Sequence, residues 1–179
     1  MNSPLLITCL RLMMHTYELD LQQKVEYLDP SISHFLRTET NIRELTKWLI
    51  HVDLEICEIF LIPYHESSHW SLIAIDIVKI KFYFVNSLAG VHGQAKLFIE
   101  TLENCPPMPK MLTEIQFSIV KVPIQPESHS CGWRVVTNAK LLLDFIYCND
   151  NQNIEINREC YSKSSLVVAP SSPVLLGGT

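Results

Sequence analysis

A chain of 179 residues, 47% hydrophobic and 18% charged, is long enough for one domain with its own core and too apolar to stay disordered. Its formal charge of −5, with no dense Lys/Arg run, excludes the basic excess of a general nucleic-acid binder. Six cysteines, at positions 9, 57, 105, 131, 148 and 160, include no C-x-x-C pair, which argues against a zinc ribbon or a thioredoxin-like motif. The opening MNSPLLITCLRLMMH lacks the basic region and small-residue cleavage site of a secretory signal. No apolar run reaches the ~18–20 residues that span a bilayer. Free thiols in a reducing intracellular compartment, cytoplasm or nucleus, are the expectation.

Residues 4–17 carry apolar side chains at helical spacing (Leu5, Leu6, Cys9, Leu10, Leu12, Met13), after a candidate cap at Asn2 or Ser3. Residues 28–35 are irregular, with a short helix opening after Asp29-Pro30. Asn41–Ile50 predicts a second helix with Ile42, Leu45, Trp48 and Leu49 on one face. The period then changes. Ile56–Pro63 and Trp70–Ile77 are β-rich runs divided by a polar turn over Tyr64–Ser68, and Lys81–Asn86 is a third strand after a short turn around Val78–Ile80. Gln94–Leu102 is helical, three prolines break the pattern at 105–109, and Gln116–Val122 is a fourth strand. Pro123–Ser130 is a loop, and Cys131 to about Tyr147 is a helix. This order predicts an α+β domain over residues 1–160 and a flexible tail over 161–179.

Three short segments carry chemistry. In Pro123-Ile124-Gln125-Pro126-Glu127-Ser128-His129-Ser130-Cys131-Gly132, a strand and a turn deliver a cysteine to the first turn of a helix. A helix N-terminus favours thiolate, the attacking form, and its backbone N–H groups face any oxyanion that forms beside the sulfur. Gly132 lets a substrate backbone approach closely. The plain alternative is that Cys131 is a small buried hydrophobe. In His69-Trp70-Ser71-Leu72, a histidine stands at the mouth of a core strand; alone, it reads as a strand-end histidine. Asn86 ends the following strand, which an antiparallel hairpin returns beside His69. Its amide oxygen is expected to accept from Nδ1–H of the ring, although Asn also commonly ends strands in turns.

Taken together, the segments resemble the family of ubiquitin-like-protein proteases that includes desumoylating and deneddylating enzymes and the adenoviral protease. The family pattern is His-Trp-x-Leu, then an acidic residue in a strand ending Ser-Leu, then a Gln six residues before Cys-Gly. Here His69-Trp70-Ser71-Leu72, Phe84-Val85-Asn86-Ser87-Leu88 and Gln125 with Cys131-Gly132 match it in that order. The resemblance implies a fold related to papain-like cysteine proteases, a central mixed or antiparallel sheet flanked by helices. It implies Cys131 as nucleophile, His69 as general base, Asn86 as the residue orienting His69, and Gln125 as side-chain oxyanion donor. Trp70 would wall a channel for a diglycine substrate end, with Gly132 beside it. The implied activity is hydrolysis of the peptide or isopeptide bond after the terminal diglycine of ubiquitin or a ubiquitin-like protein, with no cofactor and no metal, and the implied partners are those modifiers and their conjugates.

The chain departs from the pattern at four places. Asn86 stands where the family has Asp, Ser130 where it commonly has Asp, and Glu127 where it commonly has Asn. The family's Trp-Leu-Asn-Asp motif is reduced to Met1-Asn2-Ser3. Two other readings keep the same residues: an effector-type acetyltransferase that forms a thioester at Cys131, and a catalytically weak binder of ubiquitin-like proteins. A zinc site from His65, His69 and Cys57 is disfavoured because the two histidines flank a turn and not a helix face. The end of the chain, Leu175-Leu176-Gly177-Gly178-Thr179, resembles the diglycine at which the family cleaves.

Overall fold

The computed structural model describes residues 3–30, 42–53, 55–66, 68–88, 97–98, 100–102, 105, 116–124 and 130–148. The first helix, α1 (Ser3–Met14), buries Leu6, Ile7, Leu10, Met13 and Met14. The expected apolar face is corrected by about one position. Leu5 and Leu12 lie outside the stripe set by Leu6, Leu10 and Met13, and Leu12 is 61% exposed. A short helix, α2 (Leu19–Lys24), and a three-residue strand, β1 (Val25–Tyr27), follow. Neither is anticipated by the sequence pattern, because each is too short to show a period of its own.

Helix α3 (Ile42–Leu49) lies within the predicted span. It leads to β2 (Ile59–Glu66), β3 (His69–Asp76) and β4 (Lys81–Val85). The last described elements are β5 (Gln116–Val120) and α4 (Cys131–Cys148). The five strands form one sheet in the order β1-β2-β3-β4-β5. The central pairs β2–β3 and β3–β4 are antiparallel, and the outer pairs β1–β2 and β4–β5 are parallel. The sheet is therefore mixed, as expected, within an α+β fold.

The main correction concerns β2, which starts and ends three residues later than the expected Ile56–Pro63. Pro63 sits inside the strand, opposite Leu72. Among the described residues the ladder with β1 ends at Leu61, so Pro63 interrupts no described pairing on that side of β2. Tyr64, His65 and Glu66 thus continue the ladder opposite Ser71, Trp70 and His69, and the expected turn over Tyr64–Ser68 is corrected to strand as far as Glu66. Ser68 takes φ 64°. The next hairpin turns through residues 77–80, with Asp76 Oδ1 accepting from the Lys79 N–H at 2.8 Å.

Both faces of the sheet are covered. On one, α1 and α4 pack against Ile59, Leu61, Trp70, Leu72, Ala74, Tyr83 and Val85. On the other, Leu49 of α3, with Phe98 and Leu102 from the helical residues 97–98 and 100–102, covers Phe60, Ile62, Tyr64, Ile73, Ile75, Phe82 and Phe84. β2, β3 and β4 alternate between the two cores with the period of two that a strand imposes. Because both faces are buried, the strands read as continuous apolar runs and not as alternating ones.

A polar clasp ties the chain after α1 to α4. The Tyr17 hydroxyl donates to Asp144 Oδ1 at 2.6 Å, and Lys140 pairs with Asp144 at 2.7 Å while its ammonium lies over the Tyr17 ring. No helix of the described residues is long and apolar enough to cross a membrane. The rest of the short helix expected after Asp29-Pro30, the expected helix starts at Asn41 and Gln94, the proline-rich 106–109 and the tail 161–179 lie outside the described residues.

The two leucines of α1 test the packing register. Leu10, fully buried, and Leu12, mostly exposed, differ only in which way the helix turns them. In urea unfolding, Leu10→Ala is expected to cost about 2–5 kcal/mol. Leu12→Ala is expected to stay within about 0.5 kcal/mol of the parent.

Candidate active site

Cys131 is placed by the periodicity of α4. Val135, Ala139, Leu142 and Ile146 bury one stripe of this helix against the sheet, and Cys131 lies one turn before Val135 on the same stripe. The packing that seats the helix therefore also turns the sulfur toward the sheet, where Cys131 is 4% exposed. Ser130 precedes the helix; its carbonyl accepts from the Arg134 N–H at 3.1 Å, while its hydroxyl oxygen is buried without a hydrogen-bond partner and so does not cap the helix.

Four described cysteines carry free thiols, and their surroundings set them apart. Burial pushes the Cys57 thiol up to about 12 and also raises Cys9 and Cys105. Burial acts on Cys131 in the same direction, yet its pKa is lowered overall. A hydrogen bond from His69, the Trp70 backbone N–H, the charge of the His69 ring and the Gly132 backbone N–H outweigh the burial. Cys131 alone among the four is drawn toward thiolate.

His69 opens β3, and Asn86 follows β4. Since Leu72 pairs with Val85, Asn86 falls opposite Ser71, two residues from His69 on the same face of the sheet. The imidazole Nε2 lies 2.8 Å from Asn86 Oδ1. The expected contact through Nδ1 is corrected to Nε2. The amide oxygen also accepts from the Leu88 N–H at 2.9 Å, and this second donor fixes which end of the amide faces the ring. An oxygen facing Nε2 requires that nitrogen to carry its proton, which leaves Nδ1 as the nitrogen available to the Cys131 thiol. The Leu88 N–H escaped the sequence reading, although an Asn followed two residues later by a free amide is the signature of an Asx turn.

Trp70 is buried, its ring 4.5 Å centroid to centroid from that of His65, its cross-strand neighbour. Gly132 is buried behind Cys131. Gln125, with Glu127 and His129, lies outside the described residues. The structure thus brings together Cys131, His69, Asn86, Trp70 and Gly132. It separates the disfavoured zinc set: His65 lies against Trp70 on one face of the β2–β3 hairpin, His69 belongs to the other face, and Cys57 precedes the opposite end of β2. No group of three or more potential metal ligands occurs among the described residues.

The arrangement can hold a thiolate beside an imidazolium whose orientation is set from its far side, which is the ground state of a cysteine nucleophile. Alkylation by iodoacetamide, followed residue by residue by mass spectrometry across pH, checks it. Cys131 is expected to reach half its limiting rate below the ordinary thiol value of about 8.5, ahead of Cys9, Cys57 and Cys105. In His69→Ala, burial is left with less opposition, and the midpoint should rise to or above that value.

Known proteins share the sequence pattern and the fold. Human sentrin-specific protease 8 is 23% identical over 143 residues, covering 75% of this chain and 66% of that protein. The chain thus spans just under two thirds of that curated relative. Among solved structures, the Xanthomonas campestris effector XopD bound to ubiquitin aligns with a TM-score of 0.67 at 16% identity, over 88% of this chain and 83% of that one. The C-terminal Ulp1 protease domain in complex with SMT3, the yeast ortholog of SUMO, aligns at 0.65 and 15% identity, over 89% and 70%. At these identities the two structures establish the shared fold. The sequence match that extends over residues 1–159 is to the catalytic domain itself, and the chain belongs to the Ulp1 protease family, C-terminal catalytic domain.

Proposed function

We propose that this chain is a cysteine protease that hydrolyses the peptide or isopeptide bond after the C-terminal diglycine of ubiquitin or a ubiquitin-like protein. The observation that carries the reading is Cys131, alone among the four described free thiols in being drawn toward thiolate, hydrogen-bonded to a histidine whose other nitrogen is held by Asn86. Family membership supports it, as do neighbours of the same fold that hold ubiquitin and SUMO. We read residues 1–160 as one protease domain, in line with the extent of the family match, and an intracellular setting, in line with the free thiols.

In this mechanism the Cys131 thiolate attacks the carbonyl carbon of the terminal glycine and forms a C–S bond as the carbonyl oxygen takes up negative charge. The Cys131 backbone N–H at the helix N-terminus and the Gln125 amide, assigned by its place in the family pattern, receive that oxyanion. Collapse of the intermediate breaks the C–N bond, and His69 passes its proton from Nδ1 to the departing amine. Water then attacks the thioester with His69 as base, releasing the carboxylate and the thiolate. Asn86 keeps the ring in register and in one tautomer throughout. The Trp70 indole, backed by His65, walls the approach, which suits glycine because a residue without a side chain passes closest to an aromatic face.

A ubiquitin-like protein ending in a reactive electrophile is expected to label Cys131 covalently. Cys131→Ala should take up no label, and His69→Ala should label slowly or not at all. A panel of ubiquitin and SUMO probes reports activity and modifier class together; silence across the panel, with acetyl transfer from coenzyme A detected instead, would replace the reading. At position 86, an Asp carboxylate can accept from both Nε2–H and the Leu88 N–H, as the amide does now. Asn86→Asp is therefore expected to preserve or raise kcat/KM, and abolished turnover would refute the orienting role.

A further inference from the structure

Asn86 supplies His69 with an amide oxygen, so the ring's hydrogen-bond partner adds no negative charge to an imidazolium standing beside the Cys131 thiolate. A residue that carries a carboxylate is nevertheless paired with His69 in the sheet. Because β2 runs on past Pro63, Glu66 is the cross-strand partner of His69. Directly opposed residues of an antiparallel ladder point to one face with Cβ atoms about 4.5–5.5 Å apart. They are the last pair of the β2–β3 ladder, and Ser68, just before His69, takes the left-handed region. His69 is thus flanked by Glu66, its direct cross-strand partner, and by Asn86, which follows β4 and bonds the ring from a diagonal position. Glu66 is the only carboxylate in β2 or β4, and the one carboxylate of β3, Asp76, closes that strand at its far end.

The other groups around the ring do not duplicate it. From β2, His65 points to the opposite face and lies against Trp70. From the β4 side comes the neutral Asn86. From α4 comes Cys131 itself, while Arg134, one turn on, directs its guanidinium to the Pro123 carbonyl at 3.3 Å. Among the described residues, Glu66 is the negative group placed to act on His69 without competing for either ring nitrogen.

We propose that Glu66 is an electrostatic positioning residue for His69, its carboxylate stabilising the imidazolium through space and contributing the charge that Asn86 does not. This deepens the protease reading and rests on it for the role of His69. At a separation of several ångströms and in a half-exposed setting, the interaction is modest and sensitive to salt.

The test is an NMR titration of the His69 imidazole in the full chain, its signal assigned by its loss in His69→Gln. In Glu66→Gln the midpoint is expected to fall by about half a unit at low ionic strength. Glu66→Asp should restore most of it, and added salt should shrink the difference between parent and Glu66→Gln. A structural role for Glu66 would produce none of this salt dependence. In turnover, the alkaline limb of kcat/KM should move down with the titration, and Asn86→Asp in the Glu66→Gln background should recover the lost rate. An unchanged His69 midpoint in Glu66→Gln, or a fall that neither salt nor Glu66→Asp alters, overturns the proposal. The titration needs no substrate, so its outcome is separable from that of the probes. The expected shift in a chain that no probe labels would sink the protease reading and keep the electrostatic one. Labelling of Cys131 without the shift would do the reverse.

Discussion

The seating of α4 on the sheet is the constraint from which the rest of the site follows. One stripe of the helix, Val135, Ala139, Leu142 and Ile146, is buried against the strands and α1, and Cys131 begins that stripe. A helix rotated by one residue would swing the sulfur by about 100° and take it from His69, whatever else remained in place. The same burial that fixes the direction of the thiol also removes it from water, which on its own favours the neutral form. Cys57 shows where that leads when burial prevails, with its thiol pushed up to about 12 despite hydrogen bonds to the backbone of Glu26 and Ile59. Cys131 escapes that outcome because the helix delivers it to His69 and to the Trp70 and Gly132 backbone N–H groups.

The antiparallel registers of β3 with its two neighbours supply the other half. Pairing Leu72 with Val85 brings Asn86 to His69 on one side, and pairing Glu66 with His69 brings a carboxylate to the other. A one-residue slip in either ladder would send the partner side chain to the opposite face. Both hairpins are held against slippage by the two cores, since β2, β3 and β4 bury apolar residues on each side. The geometry around Cys131 and His69 is thus a by-product of hydrophobic registration. Precision comes from packing, and the polar groups are carried into place at the ends of the strands, where ladder and core give out.

Much of this was legible from residue order. The His-Trp-x-Leu, Asn-Ser-Leu and Cys-Gly segments each kept a plain structural alternative, and it was their order and spacing, matching the family pattern, that let them be read as one site. The strands β3 and β4 stood out because they are buried on both faces and are rich in branched and aromatic residues. The boundaries of β2 did not, because Tyr64, His65 and Glu66 are polar enough to read as a turn and Pro63 reads as a stop. Among the described residues the β1 ladder ends at Leu61, short of that proline. Helix α2 and strand β1 were invisible for want of length, and the exposed faces of Leu5 and Leu12 were misjudged because an apolar count does not fix a helix's rotation.

The sequence by itself determined which groups are available for chemistry and that the two sheet faces would be buried. These are properties of side-chain type and of short-range spacing, present in the chain before it folds. Tertiary structure alone decided which nitrogen of His69 meets Asn86, which of four similar thiols is drawn toward thiolate, and that Glu66 stands opposite the ring. Each of these depends on groups far apart in sequence, or across a hairpin whose register is set by the packing of the whole sheet. A pKa or a tautomer is a property of such an enclosure, because burial and partner hydrogen bonds, not residue identity, set the balance between charged and neutral forms.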